Sequence, residues 1–177
     1  EMGKPVATLI DTKGPEIRIK TFENGKIELN DGDSFTFTTE DIVGNENIVS
    51  VSYKHLTEEL NPGDRILLNN ALVIFEVEGI EGKCVHCRVI AGGELSDRKS
   101  MSFPGKVLKQ IYLSEQDKED ILFGIQNDVD FIACSFVSTA QDLIDVKEFL
   151  HKHGENNIEL IAKIENQSGV DNIESIC

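Results

Sequence analysis

Three short stretches place together the side-chain types that could handle an anionic, phosphate-bearing substrate. Asp11, Thr12 and Lys13 follow the run 6–10, Ser135 and Phe136 close the run 129–135, and Lys163 and Glu165 close the run 158–163. The first run is short and continuously apolar, as a strand buried on both faces of a parallel sheet is, and the other two read as buried strands of the same kind. In α/β barrels, residues just past the C-terminal ends of the strands carry function. That rule collects two carboxylates, two lysines and small hydroxyls, with Arg18 a few residues further on. A lysine beside carboxylates suits stabilising a phosphoryl group in transfer, with the acids holding a metal. The same set suits a plain structural ion pair equally well.

The elements that must hold these groups fall into two patterns. From about Arg18 to Arg98 the chain reads as all-β, with Ser34-Phe35-Thr36-Phe37-Thr38 alternating strictly and further strands expected over 47–53, 64–68, 72–77 and 83–90. Turn chemistry separates them at Asn30-Asp31-Gly32-Asp33, Asn61-Pro62-Gly63-Asp64 and 78–82, and only 56–60 looks helical. Regular short strands of this kind indicate a small barrel or sandwich. Past Phe103-Pro104-Gly105 the period changes to βα units. Ser114 caps a helix whose first turn carries Glu115 and Asp117, with Ile121, Leu122 and Ile125 as its stripe. Ser138 or Thr139 caps a second helix with Leu143, Val146 and Leu150 on one face, ended by Gly154. Val170, Ile173 and Ile176 begin a third, cut short at Cys177.

Composition narrows the partners. The 177 residues carry a formal net charge of -15, which repels nucleic-acid backbones and acidic membranes. No apolar run approaches the ~20 residues of a membrane helix and no leader is evident, so a cytoplasmic protein is expected. Cys84 and Cys87 form a CxxC around His86, yet residues three apart on a strand face opposite ways, and no second pair completes a zinc site.

The motifs, taken in order, resemble those of the pyruvate kinases. Asp11-Thr12-Lys13-Gly14-Pro15-Glu16-Ile17-Arg18 is similar to the family's DTKGPEIR motif, and Lys163-Ile164-Glu165-Asn166 to its KIEN strand end. Between them, Ala133-Cys134-Ser135-Phe136-Val137 resembles ASF, Leu113-Ser114-Glu115-Gln116-Asp117 resembles LSEKD, and Gly92-Gly93-Glu94-Leu95 with Phe103-Pro104-Gly105 resembles the return from the family's lid. The resemblance implies an α/β fold, a partial TIM barrel with three core parallel strands, interrupted by an inserted all-β small barrel. The expected boundaries are 1–18 for a first barrel segment, 19–98 for the lid and 99–177 for the second barrel segment.

The resemblance also implies a function: transfer of phosphate from phosphoenolpyruvate to ADP, giving pyruvate and ATP, with Mg2+ or Mn2+ and K+ as cofactors. Lys163 corresponds to the catalytic lysine that also binds substrate beside Ser135 and Phe136, and Glu165 to a ligand of the divalent ion. Asp11 and Thr12 correspond to potassium ligands, and Arg18 and Lys99 to nucleotide-phosphate contacts at the two hinges of the lid. A homotetrameric parent is implied, and a span lacking the family's remaining site residues is expected to be inactive alone. Departures are Ser100 where the family has Gly after the lysine, Asn69-Asn70-Ala71 where many members have Asp-Asp-Gly, and Ser138 where Arg often stands. Ala71 is expected to shun the positive φ that Gly takes freely. Two other classes fit part of the pattern: another metal-dependent barrel enzyme for phosphoenolpyruvate or a related oxyacid, and a β-module that binds on its own.

Overall fold

The computed structural model describes residues 5–106 and 108–177. In chain order the first elements are β1 (Leu9–Asp11), β2 (Lys26–Leu29), β3 (Ser34–Thr38), β4 (Ile48–Ser50), α1 (Leu56–Glu59), β5 (Arg65–Leu68), β6 (Val73–Glu81), β7 (Cys84–Ala91), β8 (Gly93–Ser96) and β9 (Met101–Ser102). There follow α2 (Glu115–Gln126), β10 (Phe131–Cys134), α3 (Ala140–Lys152), β11 (Glu159–Ala162), α4 (Gln167–Asp171) and α5 (Ile173–Ile176). They divide into a βα unit, Glu1–Pro15 with Gln110–Cys177, and a β unit, Glu16–Lys109. Among the described residues no helix is long and apolar enough to cross a membrane.

The βα unit is built on a three-stranded sheet in the order β1-β10-β11. Both pairs are parallel, with Ile10 opposite Ile132 and Ala133 opposite Ile161. Parallel strands need a crossover, and α2 and α3 are the two helices lying between successive strands of this sheet. Ser114 caps α2 as its sequence predicts, its hydroxyl accepting from the Asp117 N–H. Gly124 lets α2 approach β1 closely, because a Cβ there would stand 2.8 Å from the Ile10 side chain. Thr139 rather than Ser138 is the α3 cap, and Val146 and Leu150 are the buried residues of its stripe. Two expectations shift. The first strand begins at Leu9, not Val6, and both residues are exposed, because β1 is the edge of this sheet. The terminal helix is two short ones, meeting at Asn172.

The β unit holds a six-stranded sheet, β4-β3-β7-β6-β5-β9, and the antiparallel pair β2-β8. Alternation along β3 buries Phe35 and Phe37, which meet Phe75 of β6 with ring centroids 5.0–5.6 Å apart. Aromatic edge-to-face packing of this kind adds to the area term of a core. Cys87 is buried while Cys84 is only partly so, as strand alternation requires, and both are free thiols. The turn expected over 78–82 is mostly strand: β6 runs to Glu81, Gly79 sits at a register shift opposite β7, and Gly82 takes the positive φ of 57° in the tight turn. An isolated glycine within a strand marks such bulges as readily as turns. Asn69, Asn70 and Ala71 all adopt left-handed backbone, at φ 50°, 57° and 64°. The expectation for Ala71 is thus overturned. Two asparagines tolerate that region, and a hydrogen bond from the Leu72 N–H to the Asn69 carbonyl closes the turn with Ala71 inside it.

Candidate active site

All three strands of the βα unit end on the same cluster. Lys163, one residue past β11, reaches Asp11 at the end of β1, with Nζ 2.8 Å from Oδ1 and 3.1 Å from Oδ2. Its third contact is Ser135 Oγ, just past β10, at 2.8 Å. Glu165 Oε1 stands further off, 3.8 Å from the same ammonium. Parallel register sets these meetings, since side chains at equivalent depth on neighbouring strands project from one edge of the sheet.

Ser135 is the hub. It is 3% exposed, and its N–H donates to Thr12 Oγ1 at 3.1 Å. Its hydroxyl lies 2.6 Å from the Thr12 carbonyl and 3.1 Å from Asp11 Oδ1. A hydroxyl has a single proton to give, so the shorter contact, to the Thr12 carbonyl, takes it and leaves lone pairs for Lys163. Thr12 Oγ1 in turn donates to the Ala133 carbonyl at 3.3 Å.

The electrostatics follow from the pairing. The hydrogen-bonded Lys163 ammonium draws the Asp11 carboxyl below its usual 3.8, with Ser135 adding to the effect and partial burial opposing it. Asp11 in turn raises Lys163 above 10.5, against partial burial and with help from Glu165. Lys163 is therefore a fixed cation at neutral pH, a third of its side chain open to solvent, on which an anion can dock.

The loop after β10 is held from β11. Phe136 adopts φ 56°, a conformation costly for a bulky residue, and both sides of its peptide are gripped. Its N–H donates to Glu165 Oε2 at 3.0 Å, and its carbonyl accepts from Asn166 Nδ2 at 3.3 Å. Asp142 accepts from the Ser138 and Thr139 N–H groups at 2.8 and 2.9 Å.

Arg18 and Lys99 belong to the β unit and lie on adjoining stretches: Arg18 bridges Ser100, and the Ile19 N–H donates to the Lys99 carbonyl. Arg18 Nε donates to Glu16 at 2.6 Å and its Nη1 to the Arg98 carbonyl at 2.8 Å. Ser100 hydrogen-bonds the other oxygen of Glu16. Lys99 makes no ion pair among the described residues.

Tyr112, Asp117, Asn166 and Asp142 support this cluster without standing out in the sequence. Asn166 and Asp117 both lie within motifs that carry the family resemblance, but Asp117 reads in the sequence only as an acid in a first helical turn. Their roles depend on which strand ends lie side by side, which spacing along the chain does not show. Among the described residues no three His, Cys, Asp or Glu side chains converge as a cage for a metal.

The class that fold and site define is a parallel βα sheet with an ion-paired lysine at its strand ends and an all-β unit inserted after the first strand. Known proteins give the family. A family model described as pyruvate kinase, barrel domain, matches residues 1–177. The chain is 43% identical to the pyruvate kinase of Clostridium perfringens, covering 96% of this chain and 36% of that protein. It is 43% identical to that of Sporosarcina psychrophila, covering 99% and 30%. Among solved structures, a pyruvate kinase from Cryptosporidium parvum superposes with a TM-score of 0.88 at 32% identity, covering 97% of this chain and 37% of that one. The chain belongs to the pyruvate kinase family. It spans about a third of the length of the curated relatives it matches.

Proposed function

We propose that this span supplies the lid and part of the catalytic barrel of an enzyme that transfers phosphate from phosphoenolpyruvate to ADP. The observation that carries this reading is the convergence of Lys163, Asp11, Ser135 and Glu165 at three parallel strand ends. A cation fixed there opposes charge that spreads over the phosphoryl oxygens in transfer. The barrel is read as segments near 1–18 and 99–177 and the inserted small barrel as 19–98, boundaries that fall inside the β unit rather than at its ends. Arg18 and Lys99 are the proposed nucleotide contacts, and Ser135 and Phe136 line the substrate side.

The donors fit the family's ions in kind. Glu165 has one oxygen held by the Phe136 N–H, while the other makes no contact shorter than 3.8 Å to Lys163. A carboxylate oxygen so placed suits Mg2+ or Mn2+, which take few protein ligands and complete their shell with substrate oxygens and water. Asp11 and Thr12 offer hard oxygens for K+. Bound there, the ions supply charge neutralisation for the substrate anion, while Ser135 and Asp11 orient Lys163. The parent is proposed to be cytoplasmic and homotetrameric.

The test is a coupled assay of the full-length enzyme carrying this span, with phosphoenolpyruvate, ADP, Mg2+ and K+. Metal-dependent pyruvate formation is expected. An enzyme inert under these conditions, yet active on another oxyacid, contradicts the reading.

A further inference from the structure

Asp117 is 1% exposed, and no Lys, Arg or His pairs with it among the described residues. A carboxyl group taken out of water needs hydrogen-bond donors for its oxygens, and three surround it. Its Oδ1 accepts the Lys13 N–H at 2.9 Å and the Gly14 N–H at 3.2 Å, and its Oδ2 the Ser114 hydroxyl at 2.5 Å. The Asp117 N–H returns a hydrogen bond to Ser114 Oγ at 3.1 Å. Capping α2 requires only the last of these. The two bonds to Lys13 and Gly14 reach across 104 and 103 residues to the loop that leaves β1.

That loop is pressed onto the hub of the site. Gly14 has φ +66°, and a Cβ on it would meet the Ser135 carbonyl oxygen at 2.6 Å. The same carbonyl accepts the buried Tyr112 hydroxyl at 2.8 Å. The segment entering α2 therefore holds both strand-end loops, Asp117 through Lys13 and Gly14, Tyr112 through Ser135. Neither residue has a hydrogen bond or ion pair with Lys163.

We infer that Asp117, supported by Tyr112, is a positioning residue that sets where Asp11 and Ser135 hold the Lys163 ammonium. This rests on the proposed role of Lys163 in phosphoryl transfer. If the loop after β1 loses its anchor, Asp11 and the Thr12 carbonyl shift relative to Ser135, and displacements near 1 Å in such machinery cost up to ~100-fold in rate.

The experiment compares Asp117→Ala, Asp117→Asn and Tyr112→Phe in the full-length enzyme, with two readouts. One is the rate at which acetic anhydride labels Lys163, followed by mass spectrometry against Lys106, an ion-paired lysine of the β unit 2.7 Å from Asp64. The other is steady-state turnover. Asp117→Ala is expected to raise Lys163 labelling several-fold with Lys106 unchanged, and to lower kcat by at least ~10-fold with the KM for phosphoenolpyruvate within about 2-fold. Asp117→Asn keeps an acceptor for the two amides and should restore most of both. Tyr112→Phe removes the hydrogen bond to the Ser135 carbonyl and is expected to shift labelling and kcat in the same direction by at least about 3-fold, so it decides the matter if the alanine variant fails to fold. Unchanged labelling and kcat in Asp117→Ala, or in Tyr112→Phe where the alanine variant does not fold, overturn the inference, as does equal acceleration at Lys163 and Lys106, which marks general loosening. Because labelling is read without catalysis, an enzyme inert towards phosphoenolpyruvate contradicts the proposed function and leaves this result separately decidable.

Discussion

The β unit and the βα unit spend their apolar residues differently. In the β unit Phe35, Phe37, Phe75, Ile66, Leu68 and Leu95 are all at most 1% exposed, and the exposed large apolar side chains are Val43, Leu72 and Ile90. Within this span, about a third of the length of the relatives it matches, the βα unit leaves Val6, Leu9, Ile111, Phe123, Ile144, Ile161, Val170 and Ile173 open around a small core of Ile121, Ile132, Val137 and Val146, and its polar residues at the strand ends are heavily bonded. One unit derives its order from a closed core. The other fixes its functional groups through hydrogen bonds among loops. Stability and chemistry are therefore expected to respond to different substitutions.

The largest contrast in stability should come from core truncation. Phe37→Ala removes a fully buried ring touching two others and is expected to cost about 3–5 kcal/mol. Ile161→Ala, on an edge strand of this span and 41% exposed there, should cost the isolated span no more than about 1.5 kcal/mol. Urea unfolding of both variants measures this, and equal losses would erase the distinction between the units.

A smaller effect sharpens the picture within the β unit. Ala71 is held at φ 64°, where an L-residue costs about 1–2 kcal/mol. Ala71→Gly is expected to stabilise by about 1 kcal/mol despite the added freedom of the unfolded chain. A neutral or destabilising result would mean the turn does not hold that conformation.

This turn also shows where sequence reading stops. Strand alternation in 34–38, the Ser114 cap, the stripe of α3 and the parallel βα order are local periodicities, and the structure reproduces them. Ala71 in left-handed backbone is imposed by the hairpin around it, against its own preference. Gly79 in a bulge rather than a turn depends on pairing with β7. At the site, the types and strand-end placement of Asp11, Ser135, Lys163 and Glu165 were legible in the apolar runs that precede them. The brace from Asp117 and Tyr112 was not, because it joins residues more than a hundred positions apart or buried behind the strands.

The smallest expected effect concerns pH. The Asp11 carboxyl is lowered by Lys163, so its contribution to stability is complete above its ordinary value near 3.8 and is lost as pH falls through the folded value. Lys163 is raised, so its contribution is complete below 10.5 and is lost as pH rises through its own folded value. The stability difference between the protein and Asp11→Asn should stay flat from about pH 5 to 9 and shrink on further acidification. Asp11 is more than half exposed, so solvent screening keeps that difference small. A difference that instead changes between pH 5 and 9 would place another titrating group on this pair.

The most direct test of the account is Lys163→Met in the full-length enzyme, with kcat and KM for phosphoenolpyruvate measured separately. A cation acting on charge that develops in the transition state should take kcat down by several orders of magnitude and leave KM within a few-fold. A variant with kcat unchanged and only KM raised would show that Lys163, for all its contacts with Asp11 and Ser135, is a structural ion pair.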